Sequence, residues 1–356
     1  MKVALYNSPA LPNPAWNQHT MTTQNAQWLA LLKAEDVTNL GNAAAEISAA
    51  TTGTVISPLA DFGVIRASGE ETADFLHNLM TNDIKGLAAD GLRRAGFCSP
   101  KGRLLADFRI WREGDDYLLA LAADIHAALL KKLSMYVLRT KVKLTDASAD
   151  RLLLGVAGPE AAALVAAVAG EAPAVGSSRT FADGTALGFG EQRFILSIKA
   201  DAAAALWQQL SAKATPVGLA GWHAVEIAAG EPRIVAKTQE EFIPQMINFV
   251  QVGGLSFKKG CYPGQEIVAR TQYLGKIKRH MFRAALNGTA QPGDAVYAPE
   301  TGEQACGNVV LAAPDAKGGS EVLVVVQTSC AEAGQLHLGA PNGAALSLLP
   351  LPYTVE

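Results

Sequence analysis

The sequence contains few cysteines, and they are widely spaced. Its 356 residues include four, at positions 98, 261, 306 and 330, and no CxxC pair. This spacing excludes a disulfide framework and lacks the ligand spacing of a structural zinc site. The six histidines are scattered as well, so we expect no stable metal centre. The reducing cytoplasm is the expected compartment.

An excess of charge of one sign and long hydrophobic runs are also missing. Thirty basic and 33 acidic residues leave a formal net charge of −3, which gives no overall basic footprint for nucleic acid. The most apolar run, residues 161–169, is far shorter than the ~20 residues that span a bilayer. Residues 1–16 contain three prolines and no apolar core, so we expect no signal peptide. With 49% hydrophobic residues, the chain is typical of a globular protein.

The order of the hydrophobic patterns predicts three structural units. Residues 56–150 and 151–250 each combine strand and helix patterns, and their strands occur in adjacent runs, which favours two α+β domains with antiparallel sheets. Residues 276–356 show only short strand patterns divided by Gly, Pro and Asn, which predicts a closed antiparallel barrel without helices. Residues 1–55 are assigned to an N-terminal extension and the start of the first α+β domain. Within that domain, Ser68 and Glu71 have the spacing of a capping box, which predicts a helix start.

One segment holds most of the candidate chemistry. Two glycines flank its cysteine, so the backbone there can approach a ligand closely. Lys258 and Lys259 precede the thiol, and nearby cations favour the thiolate form. A helix that begins at Gly264 would add the same bias through its N-terminus. The alternative to a reactive thiol is that this cysteine is a small apolar side chain buried in the core. The residues concerned are Lys259, Gly260, Cys261, Tyr262, Pro263, Gly264, Gln265 and Glu266, followed one helical turn later by Arg270.

This octapeptide resembles the signature K-G-C-Y-x-G-Q-E of the YgfZ family. Its members are folate-binding relatives of the T-protein, the aminomethyltransferase of the glycine cleavage system. The similarity runs from about Leu59 to Tyr353 and includes residues 242–245 and 253–259. It implies a three-domain ring of two ferredoxin-like α+β domains and a C-terminal β-barrel. In that arrangement residues 251–275 return to the domain of residues 56–150.

The resemblance also implies a function. The family binds tetrahydrofolate or a derivative and supports iron–sulfur enzymes, including one that methylthiolates tRNA. Its activity depends on the signature cysteine, which falls on Cys261 in this sequence. Iron–sulfur clusters normally take four ligands, so any cluster at Cys261 would be transient and shared with a second chain or a small thiol. Iron–sulfur enzymes or assembly proteins are therefore the expected partners.

Carried over residue by residue, the folate site falls on Trp222 and Glu226. A flat indole can stack on a pterin, and a carboxylate can accept its N–H donors. Core packing is the alternative role for Trp222. A second family tryptophan corresponds to Phe62, which keeps a ring but loses the indole N–H.

Asp107, which we expect to be structural or a weak contact of the folate, marks a departure from the T-proteins, which carry two consecutive aspartates in a strand after a glycine pair. The first of the two is Ala106 here. Aminomethyl transfer needs a carboxylate positioned to handle the proton of the substrate amine, so the loss argues against that reaction. A folate-dependent aminomethyltransferase or methyltransferase remains the second hypothesis. The third hypothesis is direct tRNA binding through the basic run over residues 258–283. That run would equally suit contact with an acidic protein or with the glutamate tail of folate, or it would be a solvated linker.

Overall fold

Two sheets with packed helices and one closed barrel make up residues 23–275 and 277–355, which the computed structural model describes. The α-helices are Thr23–Leu32 (α1), Ala43–Thr52 (α2), Thr72–Leu79 (α3), Ala123–Val137 (α4), Ala161–Ala169 (α5), Ala203–Ser211 (α6), Leu219–Ala228 (α7), Gln265–Tyr273 (α8) and Thr328–Ala333 (α9). Short 3-10 helices occupy Ala236–Thr238, Pro244–Ile247 and Pro299–Thr301. Within these described ranges, no helix has both the length and the apolar character needed to cross a membrane.

The strands fall into three groups along the chain. They are Val55–Pro58 (β1), Phe62–Ser68 (β2), Leu92–Cys98 (β3), Leu104–Glu113 (β4), Asp116–Ala122 (β5), Lys143–Asp146 (β6), Arg151–Ala157 (β7), Ser178–Phe181 (β8), Gly184–Gly190 (β9), Arg193–Lys199 (β10), Thr215–Pro216 (β11), Arg279–Leu286 (β12), Ala295–Tyr297 (β13), Ala305–Pro314 (β14), Ser320–Gln327 (β15), Leu336–Leu338 (β16) and Ala344–Leu349 (β17).

The first sheet has five strands in the order β3-β4-β5-β2-β6, all paired antiparallel. Its core is formed by α3 and α4, whose Phe75 and Leu129 are buried in one cluster with Phe108 of β4. The hydrophobic pattern of the sequence predicts strands over residues 92–98, 104–112 and 117–122, and these are observed as β3, β4 and β5. Alternation along β4 sends every second side chain into this core and the others to the opposite face.

The start of α3 differs from the prediction. Ser68 is the last residue of β2 and α3 begins at Thr72, so the capping box at Ser68 and Glu71 is wrong. Gly69 has a φ of +118°, and a Cβ there would lie 2.1 Å from the carbonyl oxygen of Lys141. The chain therefore needs a glycine turn between β2 and α3, because the segment that follows α4 packs directly against it.

The second sheet has six strands in the order β11-β1-β7-β10-β9-β8. Its strand β1 pairs antiparallel with β7 and parallel with β11, and Trp28 of α1 is buried in the core of this sheet. Residues 23–58 therefore lie with the second sheet, which corrects the assignment of residues 1–55 to the start of the first domain. Residues 1–22 of that assignment lie outside the described residues. All four residues of β1 are buried, so its sequence shows no alternation that would indicate its sheet.

The third unit is a closed barrel with the strand order β12-β15-β14-β13-β16-β17, as predicted. The expectation that it lacks helices is wrong, because α9 connects β15 to β16. Between the barrel and the sheets lies α7. Its Ala224 and Ile227 pack in one cluster with Val325 of the barrel, whereas its Trp222 packs with Leu153 of the second sheet and Leu118 of the first. All three units therefore meet at α7.

The signature segment, residues 251–275, packs against the first sheet. The hydroxyl of Thr81, just after α3, donates to the carbonyl oxygen of Gly254 at 2.7 Å. Further along, α8 lies against the turn between β3 and β4, where a Cβ added to Gly102 would come within 3.0 Å of Ile267. These contacts place the cysteine of the segment near the end of α3.

We predict that Trp28→Ala lowers the free energy of unfolding by about 3–5 kcal/mol, because it removes a large buried side chain. The indole is fully buried and meets Trp207 edge-on, with ring centroids 5.7 Å apart. Urea denaturation followed by circular dichroism measures the change. Leu274→Ala is the control, since Leu274 is 85% exposed and its loss should change stability by less than about 0.5 kcal/mol. Equal stability of Trp28→Ala and wild type would show that α1 is not part of the core.

Candidate functional site

Four carboxylates and four arginines lie together where α7 meets the two sheets. We call this set the central ion cluster. Its side chains are at most 12% exposed, and their formal charges cancel, which is the condition under which so many ionised groups can be buried. The members are Asp61 before β2, Arg94 on β3, Asp107 and Arg109 on β4, Arg193 on β10, Glu226 on α7, and Glu231 and Arg233 after α7.

Arg233 occupies the centre of the cluster. Its guanidinium donates to Glu226 at 2.5 Å and to Asp61 through the other terminal nitrogen. The ring of Phe62 lies 4.1 Å from this guanidinium and 5.0 Å from that of Arg109, so two cations face one aromatic ring. Burial alone would raise the pKa of Asp61, but Arg233 and His223, whose Nε2 lies 2.7 Å from the Asp61 carboxylate, together outweigh burial and hold that pKa well below its usual range. Asp61 is therefore ionised at neutral pH.

Glu231 is held between two arginines from different sheets. Arg94 donates to both of its carboxylate oxygens at 2.7 Å, and Arg193 donates to one of them at 2.6 Å. Burial would raise the pKa of Glu231, but the two arginines outweigh it and hold the pKa well below its usual range. This carboxylate thereby connects β3 of the first sheet to β10 of the second.

Asp107 has both carboxylate oxygens engaged. One accepts a hydrogen bond from Arg109 and the other from the backbone N–H of Ile234, each at 2.6 Å. Burial nevertheless raises the pKa of Asp107 above its usual value. Ala106 belongs to the core beneath α3 and α4, on the other face of β4. The carboxylate that is missing at position 106 would therefore point away from the cluster. Both carboxylate oxygens of Asp107 already accept hydrogen bonds, which argues more strongly against its taking a proton from a substrate amine.

A narrow cavity, too small in this structure to admit a water molecule, lies beside the cluster. Trp222 lines it by lying flat on the second sheet, where a Cβ at Gly155 would be only 2.4 Å from the indole ring. One buried donor of the lining residues, the indole Nε1 of Trp222, has no hydrogen-bond partner, whereas the Arg109 guanidinium lies 3.5 Å from Glu226 and 3.8 Å from Glu231. The lining residues are Arg109, Phe189, Arg193, Ile195, Trp222, Glu226 and Glu231.

The chemistry of this lining suits a pterin. A pterin presents ring N–H and amino donors as well as carbonyl and ring-nitrogen acceptors, which match carboxylates and unpartnered N–H groups respectively. The space has no room for a water molecule, so the lining side chains would have to move apart to admit a pterin ring. The chemistry of the walls, and not their present spacing, matches the ring system of a folate.

The four residues that the family resemblance assigns to folate binding lie near one another, but only two of them line the cavity. Trp222 and Glu226 line the cavity. Phe62 and Asp107 lie behind it, in contact with Arg109. Sequence reasoning missed Phe189, Arg193 and Glu231 as well as every arginine of the cluster. The available signal was a charged residue inside an otherwise apolar strand, as at Arg109 on β4.

The signature segment forms a second site on the surface. Cys261 is exposed, whereas Lys259 beside it is buried. The Lys259 ammonium donates to the carbonyl oxygens of His77 and, at 2.7 Å, Met80, the last carbonyls of α3. A cation at the C-terminus of a helix is favoured by the helix dipole. Burial lowers the pKa of Lys259 to about 8, an effect that Asp83 and Cys261 partly offset.

The other signature residues shape the backbone around Cys261. Tyr262 is buried, with its ring 4.9 Å from the Lys259 ammonium, and burial raises its pKa. Gly264 adopts a φ of +80°, and a Cβ there would lie 2.4 Å from the carbonyl oxygen of Ser99, so only glycine fits. Gln265 begins α8, and its side-chain oxygen accepts the Tyr262 backbone N–H at 3.3 Å.

The polar face of this segment points to solvent. Glu266 and Arg270 are exposed on α8, and Lys258 and Lys278 of the basic run are also exposed. Across the residues that the structure describes, no group of three or more His, Cys, Asp or Glu side chains is arranged to hold a metal ion. The segment therefore presents a single thiol amid positive charge.

Comparison with known proteins agrees with this arrangement. Residues 18–240 match the family model described as the GCVT N-terminal domain. The tRNA-modifying protein YgfZ of Vibrio vulnificus is 33% identical over 311 residues, which cover 85% of this chain and 93% of that protein. The tRNA-modifying protein YgfZ of Escherichia coli K12 is 30% identical over 310 residues, or 84% and 93% of the two chains.

A solved structure supports the fold. The glycine cleavage system aminomethyltransferase T from Bartonella henselae matches with a TM-score of 0.70 and 18% identity, over 88% of this chain and 90% of that one. Its identity is low enough that it shows the fold alone. Taken with the curated relatives, the matches show that this chain belongs to the YgfZ family of GCVT-domain proteins.

We predict that Glu231→Gln reduces the loss of stability in acid. Because the folded-state pKa of Glu231 is lowered, the stability it contributes is present above the unfolded value of about 4.3 and is lost as pH falls below it. The variant should be less stable at neutral pH by about 3–5 kcal/mol, since two buried arginines lose their partner. Its melting temperature should then fall less steeply than that of wild type between about pH 5 and pH 3.

Thermal melts at a series of pH values test this prediction. Glu266→Gln is the control, because Glu266 is exposed and its variant should follow the wild-type curve. Parallel curves for Glu231→Gln and wild type would mean that the Glu231 pairs do not contribute to acid stability.

Proposed function

We propose that this protein is a cytoplasmic, folate-dependent accessory protein that supports iron–sulfur enzymes and, through them, tRNA modification. The curated relatives are named tRNA-modifying proteins, which supports the last part. The observation that carries the folate part is the cavity beside the central ion cluster. An indole, a phenylalanine ring and two carboxylates from α7, β9 and the segment after α7 lie together there, and the indole Nε1 has no hydrogen-bond partner.

Each residue of the cavity would bind a different part of the pterin. The indole of Trp222 would meet the pterin edge, where its in-plane Nε1–H would donate to a pterin acceptor. Glu226 and Glu231 would accept the pterin N–H groups, and the arginines already bonded to them would hold both carboxylates in place. Tetrahydrofolate, when bound, supplies one-carbon or reducing chemistry. No residue of the chain needs to transfer a proton for binding alone.

Cys261 would supply the reactive thiol. It is exposed, it lies on a segment fixed to α3 by Lys259, and its neighbours Lys258 and Lys259 are cationic. A thiolate is the form of cysteine that attacks electrophiles and exchanges with disulfides. The exposed position suits a reaction with a partner protein or a small thiol.

The second hypothesis, an aminomethyltransferase, has less support. The similar fold of the Bartonella henselae enzyme does not carry its activity to this chain. Asp107, which such chemistry would use, is bonded to Arg109 and Ile234 and does not line the cavity. Direct tRNA binding has the exposed lysines and Arg270 in its favour, but the net charge of −3 offers no broad basic surface.

We predict that Trp222→Phe weakens tetrahydrofolate binding by about 0.5–1.5 kcal/mol, the net contribution of a typical hydrogen bond. Phenylalanine keeps part of the packing against Gly155 but removes the unpartnered Nε1 donor. Calorimetric titration of folded protein measures the affinity. Trp207→Phe, on α6 in the core of the second sheet, is the control and should bind as wild type does. Unchanged affinity of Trp222→Phe would remove this indole from the site.

We predict that Cys261→Ser folds and binds tetrahydrofolate normally but fails to restore iron–sulfur enzyme activity in cells that lack the protein. Serine keeps the size of cysteine, but its hydroxyl is not ionised at neutral pH. Complementation is scored by the methylthiolation of tRNA. Cys330→Ala removes a buried thiol in the barrel and should complement. Full complementation by Cys261→Ser would show that the thiol is dispensable.

A further inference from the structure

Exposed apolar side chains are concentrated at two places on the surface. Among the described residues, nine large hydrophobic side chains are exposed, and six of these fall in two short stretches. Single exposed hydrophobic residues are ordinary on a protein surface, whereas a group of them marks an interaction site. The six are Met135, Tyr136 and Leu138 at the end of α4, and Ile267, Tyr273 and Leu274 on and just after α8.

The outer side of α8 carries the second group. Ile267, Arg270 and Leu274 are spaced three and four residues apart, so they follow one another along one side of the helix. The inner side is fixed to the protein, because Val268 is fully buried and its carbonyl oxygen accepts a hydrogen bond from the Gln245 side chain at 2.7 Å. The helix therefore presents its apolar side chains to solvent from a fixed position.

Contacts along β3 bring the two groups to the same side of the molecule. The ring of Tyr136 meets that of Phe97 edge-on, with centroids 5.9 Å apart. The backbone of Phe97 pairs with that of Met80, whose carbonyl oxygen accepts the Lys259 ammonium. The turn that follows β3 lies against α8. The end of α4 and the outer side of α8 therefore border the same segment, residues 258–264.

Basic side chains accompany both groups. Residues 125–145 contain five lysines and arginines and no acidic residue, and residues 258–274 contain three against one glutamate. Arg139 and Arg270 are exposed and have no acidic partner within the described chain, although Glu266 lies one helical turn before Arg270. The chain as a whole has a formal net charge of −3, so this positive charge is local. We call the six apolar side chains, together with Arg139 and Arg270, the basic apolar surface.

This combination of side chains indicates the kind of partner. RNA offers phosphates and base faces, for which the exposed aliphatic side chains of Leu138, Ile267 and Leu274 provide neither a charge nor a stacking ring. A second copy of this chain, in a two-fold dimer, would place Arg139 and Arg270 against the same positive surface. Interfaces between different proteins combine an apolar centre with a polar rim, which is the pattern seen here.

We infer that the basic apolar surface docks a different protein, whose contact region carries apolar side chains bordered by Asp and Glu. The inference rests on the proposed function in that an accessory protein acts on a partner, but it needs neither folate nor a reactive thiol. The acidic border of the partner pairs with Arg139 and Arg270, which directs the encounter. The apolar side chains then fill the centre of the interface, and the partner lies over residues 258–264.

Site-specific photo-cross-linking in cells tests this docking. The substitution Tyr273→p-benzoylphenylalanine places the probe at a side chain that is 68% exposed and whose ring meets that of Phe257 edge-on. The full-length protein is expressed in bacteria that lack their own homologue, and the cells are irradiated. We expect one predominant protein adduct, whose cross-linked peptide, read by mass spectrometry, contains Asp or Glu beside apolar residues. The same probe at Leu348, exposed on the barrel, should not give this adduct.

Two further substitutions, each combined with the probe, separate docking from chance capture. Arg270→Glu should reduce the yield of the adduct at least about tenfold, because it places like charges opposite one another. Leu274→Ala should reduce the yield at least about fivefold, while leaving the stability of the fold unchanged as predicted above. Arg179→Glu is the matched control. Arg179 is exposed on β8 of the second sheet, so its reversal changes the net charge equally and should leave the yield unchanged.

Several outcomes would overturn the inference. They are an adduct with RNA or with a second copy of this chain, a cross-linked peptide without acidic residues, a yield that either Arg270→Glu or Leu274→Ala leaves unchanged, and the absence of any adduct. These readouts measure neither folate binding nor the restoration of iron–sulfur enzyme activity. A failure of docking is therefore distinguishable from a failure of the proposed function.

Discussion

The pairing of Arg233 with Asp61 and Glu226 is the interaction on which the centre of the molecule depends. It connects the start of the first sheet to α7, the helix on which both sheets and the barrel pack. A buried ion pair contributes little net stability compared with an apolar core, but losing one partner costs about 3–5 kcal/mol because a charge is left buried and unpaired. The cluster therefore fixes one relative arrangement of the three units.

The same charges form the walls of the cavity. Arg109 and Arg193 pair with Glu226 and Glu231 from opposite sheets, so each of these buried carboxylates has a cationic partner. The C-terminal tail supports this arrangement, since the Tyr353 hydroxyl donates at 2.7 Å to the carbonyl oxygen of Gly230, next to Glu231. Gly230 has a φ of +62° and its Cβ would lie 2.7 Å from the Tyr353 ring. Three domains thus cooperate to position one carboxylate.

The sequence predicted the features that depend on local pattern. The strands β3, β4 and β5 and the closed barrel follow from alternation and from Gly and Pro spacing. The strand β9 was not predicted because it contains three glycines, and β1 could not be assigned to a sheet because all of its residues are buried. The octapeptide identified Cys261 by resemblance. The arginines of the central ion cluster were missed because each is apparent only when distant segments are brought together, such as Arg94 with Glu231, 137 residues apart.

Native mass spectrometry of the wild-type protein with added tetrahydrofolate tests the central claim most directly. A cavity whose walls offer an indole N–H without a partner and two carboxylates should open to hold one folate per chain. We therefore expect a complex of one protein and one tetrahydrofolate, which gives way to free protein when Trp222 and Glu226 are both substituted in a variant that still folds. Intact, folded wild-type protein that remains free of tetrahydrofolate would contradict the account.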